Sequence, residues 1–211
     1  MNHLTVGILG GSFNPITTGH LHIANNARTT ALDENYDAIL NEVWFLPCAG
    51  HTFGKELLPA EERIKMMEMT IEGTGGYRIC DYEVLNNSNG STYETLTELN
   101  AALRGFPIDF YYIIGSDNTQ TMHKWVNYEK LIDEFKFMVM PRPGYEIADW
   151  VYDGKHIVLG KQAMKDISST KVRTLAAEGD YAKMRQYVGH KVADYIEEKG
   201  FYRQSPVDTF K

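Results

Sequence analysis

The sequence predicts an α/β protein in which helices cover both faces of a doubly wound, mostly parallel sheet. Short apolar runs alternate with longer segments of helical periodicity, which is the pattern of βαβ units. Loops containing glycine follow two of these runs, at the carboxyl ends of strands where ligands collect in such sheets. The chain of 211 residues, 43% hydrophobic and 23% charged, is long enough to bury one sizeable core.

The predicted elements follow one another as a βαβα series. Apolar runs predict strands over 4–9, 42–47, 77–84, 109–114 and 135–140. Helical periodicity predicts helices over 19–32, 60–72, 92–103 and 127–134, and two more over 169–177 and 190–199. We therefore expect a single domain over residues 1–211, with a sheet core over about 1–160 and a small C-terminal helical extension over about 161–211.

Overall charge and cysteine content limit the function classes. The formal net charge of −7 at pH 7 argues against broad nucleic-acid binding, which usually needs a basic surface. Cys48 and Cys80 have no metal-ligand spacing and are typical of a reduced, cytoplasmic protein. We find no secretion signal and no apolar run of the roughly 20 residues needed to cross a bilayer, so we expect no membrane association.

The first predicted strand leads into the loop G-G-S-F-N-P over 10–15, and Gly19-His20 follows where the first helix begins. The loop is not a dinucleotide fingerprint, which Phe13 and Pro15 do not fit, nor a P-loop, which needs lysine where His20 stands. Glycines let backbone N–H groups approach a phosphate, and a helix N-terminus favours negative charge. The loop therefore predicts an anion site to which His20 donates a hydrogen bond. A structural turn before a capped helix is the alternative.

A second candidate anion site lies near the C-terminus, in the segment D-I-S-S-T-K-V-R over 166–173. Ser168, Ser169 and Thr170 are candidates to cap a helix, and Arg173 offers a fork of donors for phosphate. A well-capped helix with solvated charges is again the alternative. Two separate helix starts of this kind suit a triphosphate that must be held along its length.

The pattern G-G-S-F-N-P-x-T-x-G-H resembles the nucleotidyltransferase superfamily marked by (H/T)-x-G-H, and I-S-S-T-x-x-R matches that superfamily's late helix. Further segments resemble one branch, the nicotinate/nicotinamide mononucleotide adenylyltransferases. They are H-T-F-G-K over 51–55 with L-P-A-E-E-R over 58–63, S-T-Y-E-T-L over 91–96, G-S-D over 115–117, M-H-K-W over 122–125 and M-P-R-P-G-Y-E over 140–146. The resemblance implies a Rossmann-like fold and transfer of AMP from ATP to a pyridine mononucleotide, with release of pyrophosphate.

The resemblance also implies roles for individual residues. The catalytic residues would be His20, Lys55 and Arg173. ATP and its phosphates would contact Gly11, Ser12, Phe13, Thr17, Gly19, His20, Gly115, Asp117, Ile167, Ser168, Ser169, Thr170 and Arg173. The pyridine mononucleotide would contact Ser12, Lys55, Thr92, Thr95, Trp125 and Arg142. Mg²⁺ is expected to be bound mainly through the phosphates, without a protein ligand set.

Thr17 stands where the superfamily's first histidine is usual, so a charged histidine pair is not expected. The first loop is similar to that of eukaryotic-type nicotinamide mononucleotide enzymes, whereas the later segments are similar to bacterial acid-specific ones. We favour nicotinate mononucleotide, with nicotinamide mononucleotide as the alternative. A superfamily member acting on phosphopantetheine or a polyol phosphate, or a non-catalytic nucleotide-binding module, stays open. Self-association is usual in the family, so a homo-oligomer is a further expectation.

Overall fold

The computed structural model describes residues 3–50, 57–160 and 167–203. Within these ranges a six-stranded sheet has the order β3-β2-β1-β4-β5-β6, and every neighbouring pair is parallel. The strands are β1 (Leu4–Gly11), β2 (Glu42–Pro47), β3 (Tyr77–Ile79), β4 (Ile108–Gly115), β5 (Lys136–Met140) and β6 (Ile157–Val158). The predicted α/β fold with a parallel sheet is confirmed.

The helices lie in two layers, one on each face of the sheet. They are α1 (Thr18–Thr30), α2 (Ala60–Ile71), α3 (Tyr82–Leu85), α4 (Thr92–Ala102), α5 (Ser116–Thr121), α6 (Tyr128–Glu134), α7 (Ser169–Glu178), α8 (Tyr181–Val188) and α9 (His190–Lys199). Helices α1, α2, α7, α8 and α9 share one apolar cluster, and α4 and α6 belong to the other. The C-terminal helices therefore join the same layer as α1 and α2. In the part of the chain that the structure describes, no helix is long and apolar enough to span a membrane.

Strand β1 is at the centre of the sheet and contributes to both clusters. Val6 and Ile8 point into one cluster and Leu9 points into the other, because successive strand residues face opposite sides. Burial on both faces explains why the strand reads as a continuous apolar run.

The connection between the two halves of the sheet determines where a ligand can bind. Strand β1 pairs with β2 on one side and with β4 on the other, so the strand order reverses beside β1. The loops that leave the carboxyl ends of β1 and β4 consequently lie next to each other. Such a crevice is the usual ligand site of doubly wound sheets.

Ten of the eleven predicted elements are present, with ends shifted by at most two residues. The strand predicted over 77–84 is wrong in its second half, where the chain turns after Cys80 into the short helix α3. This turn buries the Glu83 side chain beside α4, where its carboxylate accepts a hydrogen bond from the Thr95 hydroxyl. The local apolar composition does not indicate this turn. Helices α5 and α8 and the two-residue strand β6 were not predicted. The α5 sequence, S-D-N-T-Q-T, contains weak helix formers and no apolar period.

His156 closes one end of the second cluster. Its side chain is fully buried between the rings of Phe137 and Trp150, and Nδ1 accepts a hydrogen bond from the Phe137 N–H at 3.1 Å. Burial lowers the pKa of His156, although the Asp153 carboxylate, 3.6 Å from Nε2, acts in the opposite direction. The folded protein therefore favours the neutral imidazole.

This environment makes stability depend on pH. Below the unfolded histidine's pKa of about 6.5 the unfolded chain takes up a proton that folded His156 resists, so the free energy of unfolding falls as the pH drops from 7 to 5. We expect His156→Asn, whose Oδ1 replaces the Nδ1 acceptor, to show a smaller fall over this range than the parent chain. Urea titrations at pH 5, 6 and 7 measure the difference. Equal slopes would contradict the prediction.

Candidate active site

The loop after β1 is held by its carbonyl oxygens. The Gly11 carbonyl accepts from the Cys48 N–H at 3.0 Å, and the Ser12 carbonyl accepts from Arg63 at 2.7 Å. Farther along, the Asn14 carbonyl accepts from Arg173 at 2.8 Å, and the Pro15 carbonyl accepts from the Ser169 hydroxyl at 2.8 Å. The donors come from the residue after β2, from α2 and from α7, so distant parts of the chain fix one short loop.

Arg63 makes the largest contribution to this arrangement. It is 1% exposed, and its guanidinium donates to the carbonyls of Ser12, Cys48 and Leu58 at 2.7–3.0 Å. A buried arginine is rare unless its donors are satisfied, and here carbonyl oxygens satisfy them. Arg63 therefore anchors the loop from below and is not placed to meet a ligand.

His20 lies above this loop, and its hydrogen bonds determine which ring nitrogen carries the proton. Its Nδ1 accepts a hydrogen bond from the Thr17 N–H at 3.0 Å, and the Thr17 hydroxyl lies 2.9 Å from the same nitrogen. The network thus assigns the imidazole proton to Nε2. Beneath the ring, the buried Phe13 makes an edge contact with a centroid distance of 5.0 Å. The hydroxyl of Thr17, a residue only 1% exposed, is directed at His20 and is not free for a phosphate.

The imidazole of His20 is also neutral. Burial, and secondly the positive charge of Arg142, lower the pKa of His20 to about 4. At neutral pH the side chain therefore acts as an N–H donor through Nε2 and carries no charge.

The two sequence motifs meet at the start of α1. A Cβ added to Gly19 would lie 3.0 Å from the Ile167 carbonyl oxygen, so any larger residue would have to push the two segments apart. Ser168 caps α7 by accepting from the Lys171 N–H, and Arg173 also donates to the Thr170 hydroxyl. A cavity of about 460 Å³ lies between the motifs, lined by Thr17, Gly19, His20, Ile23, Arg142, Pro143, Tyr145, Ile167, Ser168 and Ser169.

An ion pair borders the same cavity. Arg142 donates to the Asp117 carboxylate at 3.1 Å, and the two side chains lie over Gly115. A Cβ on Gly115 would come within 2.2 Å of Asp117 Oδ1 and 2.5 Å of Arg142 Nε. These two buried atoms have no hydrogen-bond partner among the described residues. The pair thus has unused donor and acceptor capacity beside the cavity.

Two smaller cavities continue the crevice beyond His20. One of about 330 Å³ is bounded by Gly10, Gly11, His20, Trp125 and Arg142 among others. Another of about 150 Å³ is bounded by Gly11, Ser12, Glu83, Thr92 and Tyr112 among others. The cavities of about 460 and 330 Å³ share His20 and Arg142. The cavities of about 330 and 150 Å³ share Gly10, Gly11 and Tyr112. The crevice therefore runs from Ser169 past His20 to Thr92.

One predicted residue, Thr95, lies outside this crevice. Thr95 is buried, its hydroxyl donates to Glu83 at 2.9 Å, and it lines a separate cavity outside the crevice. Lys55 falls within 51–56, outside the described residues.

Sequence reasoning missed Tyr112 and Glu83. The Tyr112 side chain packs directly on Gly10, where a Cβ would be 2.2 Å from its hydroxyl, and Thr92 hydrogen-bonds to it. A glycine on an inward-facing strand position, as at Gly10, is a signal that a large neighbour approaches closely. Burial raises the pKa of the Glu83 carboxyl, but no local pattern marks it.

Comparison with known proteins identifies the family. The family model described as cytidylyltransferase-like matches residues 8–175. A Streptococcus pneumoniae protein named "Probable nicotinate-nucleotide adenylyltransferase" is 34% identical over 200 residues, 93% of this chain and 88% of its own. A Bacillus anthracis protein of the same name is 33% identical over 201 residues, 93% of this chain and 97% of its own.

A solved structure shares the fold. The Plasmodium falciparum nicotinic acid mononucleotide adenylyltransferase complexed with NaAD superposes with a TM-score of 0.76 at 23% identity, covering 95% of this chain and 98% of its own. Together, the matched family model and the bacterial relatives show that the chain belongs to the cytidylyltransferase-like family, in the branch of the nicotinate-nucleotide adenylyltransferases.

Proposed function

We propose that the chain transfers AMP from ATP to nicotinate mononucleotide and releases pyrophosphate. The bacterial relatives are named as probable nicotinate-nucleotide adenylyltransferases. The observation that supports it in this chain is the meeting of the α1 and α7 starts on one cavity, with the His20 Nε2–H beside them. Both helix N-termini bring partial positive charge to the place where a polyphosphate would lie.

The reaction needs alignment more than activation. A phosphate oxygen of the mononucleotide is already ionised at neutral pH and attacks the α-phosphorus of ATP. The new O–P bond forms as the bond to the β-phosphate oxygen breaks, and pyrophosphate leaves with that electron pair. No side chain has to become a nucleophile, so the protein's task is to orient the groups and offset negative charge.

The described residues supply this charge compensation without a charged histidine. The His20 Nε2–H would donate to an α-phosphate oxygen, together with backbone N–H groups of the loop from Gly11 to Phe13. Arg173 would hold the leaving phosphates, because a guanidinium has five N–H groups and only some of them serve Asn14 and Thr170. Ser169 and Thr170 would add hydroxyls.

The opposite end of the crevice would receive the mononucleotide. We propose that Trp125 stacks on the pyridine ring, and that Ser12 and Thr92 contact the remainder of the mononucleotide. Asp117 would accept from a ribose hydroxyl, and Arg142, its ion-pair partner, would face a phosphate. Lys55 stays a predicted phosphate contact.

The donors that line the cavity suit phosphate oxygens rather than a bare cation, since they are an N–H, hydroxyls and a guanidinium. We therefore propose that Mg²⁺ arrives with ATP and is held through the phosphates and water. When bound, it would neutralise charge on the phosphates.

The proposal is tested by measuring pyrophosphate release with ATP, Mg²⁺ and each candidate acceptor. We expect nicotinate mononucleotide to give the highest kcat/KM, and nicotinamide mononucleotide, phosphopantetheine and a polyol phosphate to give lower values. Chromatography of the dinucleotide product checks the assignment. ATP binding by calorimetry without turnover of any acceptor would instead indicate a non-catalytic module.

Replacing His20 tests its role as a neutral donor. We expect His20→Ala to lower kcat by about 100- to 1000-fold, the usual effect of losing one preorganised donor to a developing charge. His22→Ala is the matched control, because His22 is exposed two positions along the same helix. Kinetics and thermal unfolding of both variants are compared. A His20→Ala variant that is folded and has near-normal kcat would rule out the role.

Replacing Trp125 tests which substrate occupies the far end of the crevice. A base stacked on an aromatic ring gains about 1–3 kcal/mol, so Trp125→Ala should raise the KM for the mononucleotide about tenfold. The KM for ATP should change much less, and Trp125→Phe should recover part of the loss. Equal small effects on both KM values would indicate that Trp125 only packs against the core.

A further inference from the structure

Tyr202 reaches the phosphate-binding loop from the far end of the chain. It lies just after α9, and its hydroxyl donates to the Asn14 side-chain carbonyl at 2.8 Å, across 188 positions of sequence. The mechanism above gives this residue no task, and no motif pointed to it.

Asn14 is a junction between several segments. It is 2% exposed, and its Oδ1 accepts from the Leu58 N–H at 3.3 Å as well as from Tyr202. Its main-chain carbonyl accepts from Arg173. One buried residue thus connects the loop with the approach to α2, with α7 and with the end of α9.

The phenol is well suited to remain a donor. Burial raises the pKa of Tyr202, and the positive charges of Arg173 and Arg63 oppose that shift without overcoming it. The hydroxyl therefore keeps its proton throughout the neutral range. Of the hydrogen bonds that Asn14 Oδ1 accepts from Tyr202 and Leu58, the one from Tyr202 is shorter, at 2.8 Å against 3.3 Å from Leu58.

The backbone of Tyr202 is also unusual. Its φ is +60°, in the left-handed region that aromatic residues seldom occupy. The preceding Gly200, at φ +66°, ends α9 and turns the chain back. Phe201 packs on Tyr195 and on the Tyr202 ring. The backbone is therefore in an unfavourable conformation at the residue whose phenol contacts Asn14.

We propose that Tyr202 is a positioning residue for the transfer reaction. Its hydroxyl fixes the Asn14 side chain, and thereby the Asn14 carbonyl against which Arg173 is oriented. The loop and the guanidinium then present their donors to the phosphates in one arrangement. This inference rests on the proposed function, because it concerns the rate of the same transfer.

Removing only the hydroxyl tests the proposal. We expect Tyr202→Phe to lower kcat about tenfold, since small misplacements of binding groups reduce rates strongly. The KM for nicotinate mononucleotide should stay within about twofold of the parent value, because Tyr202 lies on the Arg173 side of the loop. Tyr195→Phe is the matched control, because it removes a partly buried hydrogen bond from a tyrosine hydroxyl to Glu62 on α2, and this bond does not involve the loop. The control should keep the parent kcat.

A double-mutant cycle separates positioning from general stability. If Tyr202 acts through Asn14 and Arg173, its loss should change kcat by less than about twofold in an Arg173→Lys background. Additive effects on kcat would overturn the proposal, and so would a Tyr202→Phe variant with the parent kcat. An inactive parent chain would contradict the proposed function, whereas an active parent with an unaffected Tyr202→Phe variant contradicts the role of Tyr202 alone.

Discussion

The candidate site depends on the capture of the loop carbonyls between Gly11 and Pro15 by donors from elsewhere in the fold. Four carbonyl oxygens in this short stretch accept hydrogen bonds from the Cys48 amide, two arginines and a serine hydroxyl. Carbonyl oxygens repel phosphate, so engaging them with protein donors leaves the loop compatible with an anion. Without these contacts a glycine-rich loop would have many conformations and little preference for a ligand.

The net charge of −7 does not describe the electrostatic character of the crevice. Positive character at the crevice comes from two helix N-termini, from Arg142 and from oriented N–H groups, and Arg173 lies against the adjacent loop. His20 adds a donor and no charge, since the Thr17 amide occupies Nδ1 and burial disfavours the imidazolium. Thr17 therefore orients the His20 ring through its amide, and its hydroxyl lies against the same nitrogen.

Much of this could be predicted from sequence, and the exceptions have a common cause. Apolar periodicity locates nearly every element, and the two motifs mark the starts of α1 and α7, because both signals are local. Contacts between distant segments leave no local signal in the sequence. The Asp117–Arg142 ion pair, the burial of Thr95 against Glu83 and the contact of Tyr112 with Gly10 arise only when separate segments meet. The turn that converts the end of 77–84 into α3 has the same origin.

The bond from Tyr202 to Asn14 has a consequence for biosynthesis. A ribosome produces the chain from its N-terminal end, and the loop emerges long before α7 and α9 exist. Until those helices arrive, Arg173, Ser169 and Tyr202 are absent and the nascent loop lacks three of its partners. A prematurely terminated product would contain the recognisable glycine motif without the three side chains that hold it in place.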